Sequence, residues 1–150
     1  MVCLQLRGTV LGDVDAVLFD KDGTLSISEP QLLTLAKARV FLCLEQAAPA
    51  LEPAARLELQ PLLERAYGLR SEAICPAGIT AVASRDHNLI ATATALVQAG
   101  MGWPEALALS EQVFLEADQL DARRAADQAA ATSTTTEGLR HWLQQLQAAV

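Results

Sequence analysis

The amino-acid sequence predicts a predominantly α-helical chain with one or two β-strands at its N-terminus. Three observations carry that expectation. Five segments repeat apolar residues at helical spacing, while only one short stretch reads as a buried strand. The chain has 150 residues, 51% of them apolar and 19% charged, which suits a domain that buries its own core without disulfide or metal staples.

Taken in order, residues 3–11 alternate loosely (Leu4, Leu6, then Thr9, Val10 and Leu11 after Gly8), as a short strand or hairpin would. Residues 15–19, Asp-Ala-Val-Leu-Phe, form a continuous apolar run that stops in the turn chemistry of Asp20-Lys-Asp-Gly23. Such a run suits a strand over 15–20 buried on both faces, as in a parallel sheet. From Ser28 the period changes. Ser28 and Gln31 make a capping-box pattern, Pro30 suits the first turn, and Leu32, Leu35, Ala36, Val40, Phe41 and Leu44 follow at helical spacing, predicting a helix over 29–47.

After a linker at 47–53, a helix is expected over 54–67, with Pro61 kinking or splitting it and Gly68 ending it. Residues 74–79 are irregular around Pro76 and Gly78. Further helices are expected over 84–99, closed by Gly100, over 104–120 after Trp103-Pro104, and over 137–148 behind a second capping box of Thr134 and Glu137. Residues 121–136 lose their pattern and read as a linker or frayed helix end.

The charge balance narrows the functions. At −7, with Lys21 and Lys37 the two lysines and the arginines scattered, the chain offers no basic patch for nucleic acid or an anionic membrane. No run is long and apolar enough to span a bilayer, and Arg7, Asp13 and Asp15 interrupt any signal-peptide pattern. Three dispersed cysteines, Cys3, Cys43 and Cys75, read as reduced thiols. A cytoplasmic protein is expected.

Chemistry concentrates where the apolar run ends. In open α/β sheets ligands bind beyond the carboxyl ends of strands, so Asp20 and Asp22 would face such a crevice, with Gly23 permitting the sharp turn. Two carboxylates this close can share a hard cation such as Mg²⁺. One can attack phosphorus while the other handles a proton. An inert Asp-rich turn after a core strand is the blander alternative.

The stretch Ala16-Val-Leu-Phe-Asp-Lys-Asp-Gly-Thr-Leu25 resembles the first signature motif of the haloacid dehalogenase (HAD) superfamily. The resemblance implies an α/β core with a helical cap: residues 1–26 as the first strand or strands of the core, 27–133 as the cap, and 134–150 as a helix returning to the core. It implies Asp20 as nucleophile and Mg²⁺ ligand, and Asp22 as general acid and base that also reaches the metal. Gly23 and Thr24 would shape the substrate loop. A second Asp favours the phosphatase branch, acting on a small phosphorylated metabolite through an aspartyl-phosphate, and phosphoglycolate is the substrate the cap type suggests.

Within 27–133, Ala83-Ser-Arg-Asp-His-Asn88 is a polar cluster opening a helix. Arg85 could clamp a phosphate or carboxylate bidentately, with Asn88 one turn along on the same face; a solvated Arg at a capped helix start explains it equally well.

The sequence departs from the family elsewhere. The Ser/Thr strand end, the later lysine and the acidic pair do not occur, since no lysine follows Lys37 and no two acidic residues are adjacent. The expectation is therefore a truncated hydrolase, inactive alone, that self-associates or pairs with a complementing C-terminal fragment. The alternative is a non-catalytic remnant or binding module that needs a partner chain.

Overall fold

Helix dominates the architecture. The computed structural model describes residues 2–21, 23–128 and 135–149. The chain divides into two compact units, one formed by Met1–Ser28 with Ser133–Val150, the other by Glu29–Thr132.

In the first unit, β1 (Val2–Leu6) and β2 (Thr9–Val14) form an antiparallel hairpin. Arg7 and Gly8 both have positive φ, 50° and 81°, the backbone of a two-residue turn whose twist matches that of the strands. The register slips between Leu4 and Gln5, so Leu11 is the extra residue of a bulge. Among the described residues β1 and β2 pair only with each other. A helix that we call α6 spans Leu139–Ala149.

The expected strand at 15–20 does not form: these residues are irregular, and Leu18 is 97% exposed. A strand needs a neighbouring strand for its backbone, and among the described residues none pairs with this stretch.

The second unit is a bundle of α1 (Glu29–Ala47), α2 (Pro53–Tyr67), α4 (Arg85–Gln98) and α5 (Trp103–Gln128). A 3-10 turn at Ala48–Ala50 joins α1 to α2. Between α2 and α4 lie a small antiparallel ribbon of β3 (Leu69–Arg70) and β4 (Ala73–Ile74), and a single helical turn, α3 (Ile79–Val82). Helix α5 packs on α1 and α4, and α2 packs on α1 and α4. The core follows the helical period: Ala36, Val40, Cys43 and Ala47 from α1, Leu59 and Leu63 from α2, and Ala106, Val113, Phe114 and Ala117 from α5.

Several buried hydroxyl groups find hydrogen-bond partners within the core. The Tyr67 hydroxyl bonds Thr92 Oγ1, Thr92 Oγ1 donates to Asn88 O, and Thr80 Oγ1 donates to Tyr67 O. Gly68 caps α2 with φ 72°, and its neighbours leave no room for a side chain: a Cβ would lie 3.1 Å from Gly78 Cα. That close approach is held by Cys75 N donating to Gly68 O at 2.8 Å.

The structure departs from the expected helix plan in three places. Pro61 sits inside α2 without splitting it; Pro61 is exposed, so the missing amide bond is lost on the solvent side. Helix α5 runs on to Gln128 rather than stopping near 120, because Ala122, Arg123, Arg124, Ala125 and Ala126 are strong helix formers even without an apolar stripe. Gln31 does not close a capping box but donates through Nε2 to Asp121 Oδ2 at 2.9 Å. Thr134 of the second capping box lies outside the described residues. No helix among the described residues is long and apolar enough to cross a membrane.

Candidate functional site

Asp20 stands at the head of a wound loop. Leu25 N and Ser26 N both donate to Lys21 O at 3.0 Å, and Gly23 N donates to Ser26 O at 2.9 Å. Gly23 has φ 77°, which a residue with a Cβ would adopt only under strain. The loop is tied to the residues preceding α6: Thr136 N donates to Leu25 O at 3.2 Å, and Thr136 Oγ1 donates to Thr24 O at 2.6 Å. Beside this tie, the Phe19 ring meets Trp142 edge-on, with centroids 5.0 Å apart. The first unit thus joins the motif to α6.

Asp20 and Thr24 are exposed. Asp22 lies outside the described residues. Among those that are described, no group of three His, Cys, Asp or Glu side chains is placed to hold a metal. Mg²⁺ usually takes one or two carboxylates together with waters and substrate phosphate. Asp20, exposed, offers one such carboxylate.

The other candidates belong to the second unit. Ser84 caps α4, accepting from His87 N at 3.2 Å, as the polar cluster there implies. Asn88 is buried, and its Nδ2 donates to Ile79 O at 3.1 Å and Ser84 O at 2.9 Å, so its amide ties α3 to the start of α4. Arg85 Nε donates to Asp118 Oδ2 at 2.8 Å, with its guanidinium 5.4 Å from the Phe114 ring centroid. Arg85 and Asn88 are thus not presented alike, one half exposed and one buried.

Sequence reasoning missed the residue that organises this region. Arg39 is buried in the middle of α1, stacked 3.8 Å from the Phe114 ring centroid, and its Nη2 donates to Asp118 Oδ1 at 3.1 Å. Each oxygen of Asp118 therefore faces a different arginine. The available signal was Arg39 itself, a charge within the apolar stripe of Ala36, Val40 and Cys43, where an unpaired charge is rarely tolerated.

Nearby core groups feel this charge and the lack of water. Burial pushes the Cys43 thiol up to about 12, opposed by the positive charge of Arg39. Tyr67 is also raised, by burial first and by the Cys43 charge second, against the Thr92 hydrogen bond and Arg39. Neither group is a ready nucleophile. An open, mainly apolar groove of about 450 Å³ lies between α2 and α4, with Leu62, Arg65, Thr94 and Gln98 in its lining.

Compared with protein-family models, curated proteins and solved structures, the chain matches none of them.

Proposed function

We propose that this chain carries the nucleophile segment and helical cap of a Mg²⁺-dependent HAD-type phosphatase, built on an α/β core, that acts on a small phosphomonoester in the cytoplasm. The observation that carries the reading is the motif Asp20-Lys-Asp-Gly-Thr-Leu25 behind the apolar Ala16–Phe19, followed at once by a helical unit over Glu29–Thr132. The chain leaves the first unit for the second after Ser28 and returns to it at Ser133, the topology of an inserted cap. The exposure of Asp20 beside a glycine turn also supports it.

On this reading an Asp20 carboxylate oxygen attacks phosphorus and the ester oxygen leaves, protonated by Asp22. Asp22 then takes a proton from water, which hydrolyses the aspartyl-phosphate to free phosphate and Asp20. Mg²⁺ held by Asp20 and Asp22 would offset phosphate charge. Phosphoryl transfer depends on positioning and charge neutralisation, so turnover needs the lysine and acidic pair that this sequence does not contain.

The test is complementation. The chain alone should not hydrolyse p-nitrophenyl phosphate with Mg²⁺. Activity should appear when a polypeptide bearing the Ser/Thr strand, lysine and acidic pair is co-expressed, and vanish in Asp20→Asn. Activity indifferent to Asp20→Asn, or none with any such polypeptide, would overturn the proposal.

A second reading, a non-catalytic module that binds a partner chain, is favoured by one observation: Asp20 ends an exposed irregular stretch rather than a buried strand.

A further inference from the structure

The two edges of the hairpin are chemically unlike. The edge formed by β1 reads Val-Cys-Leu-Gln-Leu, without charge, glycine or proline. The edge formed by β2 carries the bulge at Leu11, Gly12 at φ 143° and the exposed Asp13. Bulges and charges are what keep an open strand from pairing with another chain. β2 has both, and β1 has neither.

The register fixes which backbone groups β1 offers. Leu6 and Thr9 flank the two-residue turn, so they exchange hydrogen bonds across the hairpin. The bulge lies in β2, so the alternation in β1 runs unbroken. Leu4 and Leu6 turn their amides and carbonyls toward β2, while Cys3 and Gln5 turn theirs outward. Among the described residues, no backbone hydrogen bond outside the hairpin uses Cys3 or Gln5, and both residues are exposed.

We propose that β1 pairs antiparallel with β1 of a second copy of this chain, the two hairpins making one sheet with the β1 strands at its centre. With the two-fold axis at Leu4, each Cys3 faces Gln5 of the second copy, and every outward amide and carbonyl of these residues finds a partner. The half-buried Leu4 meets Leu4 of the second copy as a non-hydrogen-bonded pair, the kind whose side chains lie closer. No like charges meet at this seam, whereas pairing through β2 would bring two Asp13 carboxylates into it.

A second copy is the occupant because β1 is its own complement and because the contact closes. One two-fold pairing satisfies both open β1 edges at once, and the edges left outside are the two bulged, charged β2 strands. A two-stranded hairpin is marginal in water, and a wider sheet with an apolar row is not. The pairing goes beyond the phosphatase reading and asks nothing of Asp20.

The experiment is a charge swap at the axis, read by sedimentation of the full chain. A Leu18→Lys, Leu143→Glu background removes two exposed apolar side chains of the same unit, so that association through them does not mask the dimer. In that background the chain should form a dimer and nothing larger, with a dissociation constant on the order of 10–100 µM, as a small interface gives. Leu4→Lys and Leu4→Glu should each weaken the dimer about tenfold or more, because like charges then stand directly opposite. Mixed in equal amounts, the two variants should associate again, more tightly than either alone. Substitutions that merely spoiled the hairpin would give no such recovery.

Gln5→Pro is the independent check, whether or not the Leu4 variants fold. It deletes an amide that points away from β2, so the hairpin keeps its bonds while the dimer weakens. A background chain that stays monomeric at every concentration would mean that β1 awaits some other strand, and would overturn the proposal. So would mixed Leu4 variants that associate no better than each alone, or a dimer indifferent to Gln5→Pro.

Discussion

The guanidinium of Arg39 lies over the Phe114 ring, 3.8 Å from its centroid, with Asp118 one helical turn beyond Phe114 accepting from its Nη2. The stack and the ion pair come from the same two helices, α1 and α5, and Arg85 adds α4 through the other oxygen of Asp118. Three of the four bundle helices thus converge on one carboxylate.

Removing Arg39 should be costly. Arg39→Ala would strand half of the Asp118 contacts, empty the space over Phe114 and leave no cation in the α1 stripe. Asp118 is 38% exposed and keeps Arg85, so the loss falls short of that of a fully buried pair and should be about 2–3 kcal/mol, against a domain stability of about 5–15 kcal/mol. Urea unfolding followed by circular dichroism should show that loss. Arg39→Met, which keeps the volume, should cost visibly less; equal costs would show that packing rather than charge pairing dominates.

That clamp also shows where sequence reasoning reaches its limit. The stripes of α1, α2, α4 and α5 were readable because burial follows the helical period, and Ser84 and Gly68 were readable as punctuation because capping is local chemistry. Arg39, Arg85 and Asp118 meet across three helices, and no spacing within one segment announces such a meeting. The stretch 15–20 failed for the opposite reason. Its residues favour a strand, but a strand is a property of pairs, and among the described residues no strand pairs with this stretch. The motif at Asp20 was readable as chemistry, while the loop's attachment to Thr136 was not, since more than a hundred residues separate them.

Alkaline pH should weaken the helical unit. The Cys43 thiol is raised from 9.0 to about 12 by burial, so the folded state holds its proton where the unfolded chain has released it. Stability from this group is complete below pH 9 and falls as pH rises through the interval up to about 12, by at most about 1.4 kcal/mol per pH unit. Tyr67, also raised, adds loss in the same direction from its ordinary value of 10.0 upward. Urea midpoints measured at pH 8 to 11 should fall in the parent and fall less steeply in Cys43→Ala; an unchanged slope would remove Cys43 as the cause.

Two glycines with nearly the same φ should respond differently to alanine. At Gly68 the added Cβ meets Gly78 Cα at 3.1 Å and Cys75 Cβ at 3.3 Å, and the backbone is left-handed as well. At Gly23 the backbone is left-handed but nothing lies within 4 Å. Gly23→Ala should therefore cost about 1 kcal/mol or little more, and that within the loop. Gly68→Ala should cost roughly 2–3 kcal/mol, adding overpacking to strain, and should lower the thermal midpoint of the whole helical unit. Equal midpoints for the two variants would mean that the ribbon around Cys75 yields easily.

Self-association is the expected behaviour of the chain in solution, and its origin lies in the first unit. Leu18 is 97% exposed, Val17 40% and Phe19 38%, and the Trp142 that meets Phe19 is itself 37% exposed beside Leu143 at 40%. A large apolar side chain left in water forgoes roughly 1.5–3 kcal/mol each, and the two-stranded hairpin nearby adds backbone edges that invite pairing. Contact between chains recovers part of that energy, so sedimentation should show association that grows with concentration. The variant Leu18→Lys with Leu143→Glu should reduce it without changing helical circular dichroism, because neither side chain belongs to the buried core. The same variant leaves the Phe19–Trp142 contact in place, so the emission of Trp142, read in a Trp103→Phe background, should stay that of a partly shielded ring. A parent chain that sediments as a monomer at every concentration would show that this surface is tolerated in water, and would count against a partner-seeking role for residues 17–19.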